Sequence, residues 1–314
     1  MDLIAKNKET DIGKISLYTL SAFVPILDEK KEEIEKIEQK TFQYGPRNRH
    51  HLDVYYPLEP SVTANGKTPI LFFIYGGGFN TGARQLPFPY NMGYRALGSF
   101  FAQRGFITII PDYRLVPEVR YPAASEDIRD AIVWVSKNVP TITSTSIPEP
   151  DLDYVFVMSH SAGTVHTKVL TLHPELRVTL PPLKGLIWCA GAWFLNIKGE
   201  KFETEGPASF YFGSPEQQSE REPRALWNKL SDEEVEALPE ILLVQAEREP
   251  EWMKISCDTL AKDLENRLGK APKRIISQGH NHISPNWALS SGEGEAWGEE
   301  VAEWLNARIL GTIA

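Results

Sequence analysis

Short apolar runs bounded by turn residues recur along this chain. Leu52-Asp53-Val54-Tyr55-Tyr56 alternates as a half-buried strand does and stops at Pro57. Ile70-Leu71-Phe72-Phe73-Ile74-Tyr75 is apolar throughout and closes on three glycines. Phe106-Ile107-Thr108-Ile109-Ile110 ends at Pro111. Similar runs occupy 153–158, 186–190, 241–246 and 274–276. Strands that are apolar on both faces belong in the interior of a parallel sheet. Segments with helical spacing fill the gaps, at about 94–103, 124–138, 163–172, 254–268 and 295–309. The alternation predicts an α/β fold, a mostly parallel central sheet flanked by helices.

Two segments break the alternation. In residues 1 to about 45, an apolar stretch from Ile15 to Leu27 leads into a charged run, Asp28 to Lys40. Ile34 and Ile37 sit at helical spacing in that run, which reads as a solvated helix face. Residues 192–238 interleave Trp193, Phe194, Phe202, Phe210, Tyr211, Phe212 and Trp227 with charges and glycines. An insertion ahead of a strand in such a sheet readily forms a lid. Together the two segments predict a helical cap over the C-terminal edge of the sheet, within a single domain spanning 1–314.

Composition narrows the functional classes. With 314 residues, 42% hydrophobic and 24% charged, the chain can bury a sizeable core. A net charge of −9 and no basic stripe argue against nucleic acid or an anionic membrane as partner. The Ile15–Leu27 stretch is too short to cross a bilayer. Met1 to Lys6 lacks the basic-then-apolar pattern of a secretory signal, so a cytoplasmic setting is expected. Cys189 and Cys257 read as two buried thiols acting as small hydrophobes.

The candidate chemistry starts at Ser159-His160-Ser161-Ala162-Gly163. A serine between a buried strand and a helix, with small residues two positions either side, is a nucleophile elbow. Acyl transfer through serine also needs a base, a group that orients the base, and donors for the developing oxyanion. Tyr75-Gly76-Gly77-Gly78-Phe79 follows a strand directly and offers backbone N–H donors, with the N–H of Ala162 as a further one. The acid must follow the sixth predicted strand, where Glu247, Glu249 and Glu251 compete. Glu249, followed by proline, falls where the loop should turn toward the base. His280 and His282 both qualify as the base, being the only histidines in the C-terminal third. No third ligand accompanies that pair, so no metal site is expected.

These motifs resemble a family. Tyr75 to Phe79 is similar to the His-Gly-Gly-Gly oxyanion motif of hormone-sensitive-lipase-like carboxylesterases, with tyrosine in the histidine position. Pro111-Asp112-Tyr113-Arg114-Leu115-Val116-Pro117-Glu118, followed by Tyr121-Pro122-Ala123-Ala124-Ser125-Glu126-Asp127-Ile128-Arg129-Asp130-Ala131, resembles the same family's signature between oxyanion loop and elbow. Tyr44-Gly45-Pro46, His51 to Pro57, and Asn281-His282-Ile283 are similar to the kynurenine-formamidase-like branch. The resemblance implies an α/β-hydrolase fold with a helical cap and hydrolysis of short-chain or aromatic carboxylic esters without a cofactor. Carried over by position, it implies Ser161 as nucleophile, Glu249 as acid and His282 as base. Gly77, Gly78 and Ala162 would form the oxyanion hole. The stretch from Asp112 to Glu118 would be scaffolding behind that loop. Ser159 stands where the family has glycine, and glutamate where aspartate is usual. Phe79, Trp193, Phe194 and Tyr211 are the expected substrate contacts. The expected partner is a small-molecule ester or amide, with a homodimer left open. An arylformamidase-type amidase acting on an N-formyl aromatic is the alternative activity, and a non-catalytic ligand-binding relative the alternative class.

Overall fold

The computed structural model describes residues 1–195 and 206–311. Residues 196–205, with Phe202 of the insertion, lie outside the described residues. The eight strands are β1 Gln39–Gln43, β2 His51–Tyr55, β3 Thr68–Ile74, β4 Ile107–Pro111, β5 Pro150–His160, β6 Gly185–Cys189, β7 Glu240–Arg248 and β8 Lys273–Asn281. They form one sheet in the order β1-β2-β4-β3-β5-β6-β7-β8. The two pairings of β2 are antiparallel and all others are parallel. This is the α/β-hydrolase fold, and β2 to β8 lie where the apolar runs put them.

Burial explains that match. Every residue of β3, β4 and β6 is buried, as a strand covered on both faces requires. The longer helices are α1 Ile12–Glu29, α2 Met92–Ala102, α3 Ala123–Lys137, α4 Ala162–Leu172, α5 Glu251–Leu268 and α6 Ala296–Ile309. All eleven residues of α4 are buried, because it sits against the middle of the sheet directly after the elbow.

The N-terminal segment differs from expectation. The helix is α1, upstream of the charged run. Asp28 and Glu29 close α1, and beyond them only Lys31–Ile34 of that run is helical. Ile34 and Ile37 are both buried. The run then enters β1, an edge strand pairing Gln39 with Tyr55 and Gln43 with His51. Gln-Lys-Thr-Phe-Gln carries too little apolar pattern to announce a strand, as suits an edge that must not recruit other chains. Within the insertion, four short helices cover Pro207–Phe212, Pro215–Arg221, Pro223–Trp227 and Asp232–Glu236.

Candidate active site

The elbow sits at the end of β5. Ser161 has φ 53° and ψ −123°, a region that L-residues rarely occupy. The turn is tight enough to dictate its neighbours. A Cβ on Gly163 would lie 2.3 Å from the Tyr75 carbonyl oxygen and 2.4 Å from that of Ile74. Ser159 fits the other small position because its hydroxyl is engaged with Thr167 Oγ1 at 2.8 Å. The Ser161 N–H donates to the Cys189 carbonyl at 3.0 Å, tying the elbow to the end of β6.

The loops after β7 and β8 bring two more groups to this point. Ser161 Oγ donates to His282 Nε2 at 2.9 Å. His282 Nδ1 donates to Glu249 Oε2 at 2.6 Å. Glu249 and His282 are each only 1% exposed, so water cannot compete for this bond. Glu249 Oε1 also accepts from the Ala246 N–H at 3.3 Å. The competing residues are occupied elsewhere. His280 bonds Ser284 Oγ at 2.9 Å and donates from Nε2 to the Gly294 carbonyl at 2.8 Å. Burial lowers its pKa to about 4. Glu247 accepts from the Gly279 N–H at 2.6 Å, and Glu251 is exposed at the start of α5. A hydroxyl, imidazole and carboxylate in this row can pass the hydroxyl proton to the ring and hold the resulting cation.

The glycine loop faces the elbow. A Cβ on Gly76 would lie 2.8 Å from Ser161 Cβ, so only glycine permits the approach. Gly77 and Gly78 have φ of 136° and 58°. Among the described residues, the N–H groups of Gly77, Gly78 and Ala162 donate to no backbone carbonyl outside the regular elements. The tyrosine in the histidine position anchors the loop. Tyr75 OH donates to Asp112 Oδ1 at 2.7 Å and accepts from Arg49 Nη2 at 2.9 Å. Arg84 donates to both oxygens of Asp112, from its backbone N–H at 2.7 Å and from Nη1 at 2.6 Å. Tyr113 OH donates to the Tyr75 carbonyl at 2.7 Å. The segment beginning at Asp112 thus backs the loop. Arg49 and Arg84 escaped the sequence reading because neither belongs to a motif; burial of their aspartate partner is the only sign of them.

A cavity of about 380 Å³ opens over Ser161 and His282. Ile12, Ser16 and Leu20 of α1 line it together with Leu86, Tyr94, Ile283 and Trp287. The four expected substrate contacts lie elsewhere. Among the described residues, none of Phe79, Trp193, Phe194 and Tyr211 lines this cavity. Trp193 is fully buried and donates from its ring N–H to Asp263 at 2.7 Å. Tyr211 is buried and stacks on Phe79 at 5.5 Å. Phe194 lies under Arg224. These aromatic groups fill the layer behind the elbow helix, where apolar area is best removed from water.

A family model described as BD-FAE matches residues 52–172, the span from β2 through the end of α4. The solved structure of esterase B from Lactobacillus rhamnosis superimposes with a TM-score of 0.68 at 16% identity, covering 95% of this chain and 96% of that one. This chain has the α/β-hydrolase fold. The chain is 29% identical over 144 residues to a probable carboxylesterase M8 of a Phoma species, covering 44% of this chain and 43% of that protein. It is also 31% identical over 181 residues to a non-reducing polyketide synthase, ausA of Aspergillus calidoustus, covering 56% of this chain and 7% of that protein. The chain therefore spans less than half the length of both relatives.

Proposed function

We propose that this chain is a serine hydrolase that cleaves carboxylic esters through an acyl-enzyme. The observation that carries the reading is the unbroken row from Ser161 Oγ through the His282 ring to Glu249, at 2.9 and 2.6 Å. Ser161 Oγ attacks the acyl carbonyl as His282 Nε2 takes its proton. Glu249 holds the ring with its hydrogen on Nδ1, which leaves the Nε2 lone pair facing the serine. The N–H groups of Gly77, Gly78 and Ala162 receive the oxyanion, and each such donor lowers the barrier by about 3 kcal/mol. His282 then protonates the leaving alcohol. Water, deprotonated by the same ring, releases the acid.

Similarity to a probable carboxylesterase supports the ester as substrate. Helix α1 serves as the cap, since it supplies Ile12, Ser16 and Leu20 to the cavity wall. The insertion aromatics Trp193, Phe194 and Tyr211 do not line this cavity, and neither relative favours an N-formyl aromatic over an ester. Two free buried thiols, Cys189 and Cys257, suit a reducing compartment and support a cytoplasmic setting. The test is hydrolysis of p-nitrophenyl acetate by the wild type and by Ser161→Ala. Loss of turnover and of fluorophosphonate labelling in the variant is expected. Undiminished turnover would remove the reading, and so would a wild type inactive on esters and unlabelled by the probe.

A further inference from the structure

His160, the residue directly before the nucleophile, is not used by the mechanism above. Its position at the centre of the elbow leaves its side chain free in principle. Instead it is 5% exposed and turned across to the loop after β8. Its Nε2 lies 2.9 Å from the His282 carbonyl oxygen. The two imidazole rings lie 4.7 Å apart and tilt by 38°. A carbonyl oxygen can only accept, so Nε2 carries the hydrogen. Burial pushes the His160 pKa down to about 3, so the ring is neutral and Nδ1 bears a lone pair. That nitrogen lies beside Gly76, where a Cβ would approach it to 3.2 Å.

We infer that His160 is a positioning residue that fixes the backbone of His282, so that the His282 ring meets Ser161 and Glu249 together. The inference rests on the serine-hydrolase reading and extends it. One dipeptide, His160-Ser161, holds both ends of the same histidine. Ser161 Oγ engages its ring at Nε2, and His160 engages its main chain. Glu249 supplies the third point at Nδ1. A ring hung from a loop can rotate about its side-chain bonds and shift with its backbone. Bonds at its two nitrogens fix the ring only if the backbone stays in place. The His160 bond supplies that restraint. A neutral ring is suited to the task, because a second cation beside His282 would oppose the charge that develops there.

The test compares His160→Phe with His160→Gln. Phenylalanine keeps a buried ring but has no donor. Glutamine places an amide N–H within reach of the Nε2 position. The expected result is that His160→Phe lowers kcat on p-nitrophenyl acetate by about tenfold to a hundredfold, the usual cost of a misplaced catalytic group. KM should change little, and fluorophosphonate labelling of Ser161 should slow in parallel. His160→Gln should recover most of the loss. A passive packing role would give the opposite order, with phenylalanine the milder change. The inference is overturned if folded His160→Phe keeps the wild-type kcat, or if glutamine does no better than phenylalanine. Should His160→Phe not fold, His160→Asn, polar but too short to reach, takes its place against glutamine. Ser161→Ala separates the two levels. If it is inactive while the His160 variants behave as wild type, only the positioning role fails.

Discussion

Asn281 Nδ2 donates to Thr19 Oγ1 at 2.9 Å, joining residues 262 positions apart. Both side chains are fully buried. Asn281 Oδ1 meanwhile accepts from the N–H groups of Ile283 and Ser284, each at 3.0 Å, which shapes the turn that carries His282. Helix α1 is thereby tied to the turn that carries His282, as well as lining the cavity. Thr19→Val keeps the shape and leaves the amide without a partner, which costs about 1–3 kcal/mol. Urea unfolding should show that loss, and kcat should fall severalfold with it. Unchanged stability and rate would mean the bond contributes nothing.

Glu249 is expected to act through the tautomer of His282. Glu249→Gln keeps the size of the side chain, yet its amide can donate to Nδ1 and so favour the wrong tautomer. By analogy with triad aspartates, kcat should drop by about a hundredfold to ten-thousandfold, with little change in KM. Glu251→Gln, on the exposed start of α5, should stay within about twofold of wild type. Steady-state ester hydrolysis by the two variants checks the assignment.

Tyr75→Phe removes one hydroxyl that both donates to Asp112 and accepts from Arg49. Asp112 keeps its two bonds from Arg84 but loses one buried partner. Stability should fall by about 1–3 kcal/mol. Because the ring precedes the glycine loop, kcat should fall as well while Ser161 remains labelled by the probe. A stability loss with unaltered kcat would confine Tyr75 to the scaffold.

Three buried histidines set the acid limit of the fold. Burial lowers the pKa of His160 and of His166 to about 3, and that of His280 to about 4. The unfolded chain, with ordinary values near 6.5, binds more protons than the native one in this window. Stability should therefore be fully present above about pH 6.5 and fall as the pH drops toward 4, by up to about 1.4 kcal/mol per pH unit for each ring. His166→Phe should flatten that slope by one ring. Urea titrations at pH 7, 6 and 5 give the comparison, and an unchanged slope in the variant would contradict the assignment.

The sequence by itself determined the sheet and the elbow. Continuous apolar runs such as Ile70 to Tyr75 have no stable place except inside a parallel sheet, and Ser161 between a strand and a helix with Gly163 behind it is a local signal. It did not determine β1, whose polar edge positions carry no period. Nor could spacing choose between His280 and His282, since both leave the same strand two residues apart. Only the tertiary structure decided that, by giving His280 to Ser284 and Gly294 and bringing His282 to Ser161, a contact across 121 positions. It also moved Trp193 and Tyr211 from the substrate to the core and put Ile12, Ser16 and Leu20 in the cavity wall. The physical reason is range. Pattern along the chain reports which face of an element is buried, whereas partners and cavities arise where elements distant in sequence meet.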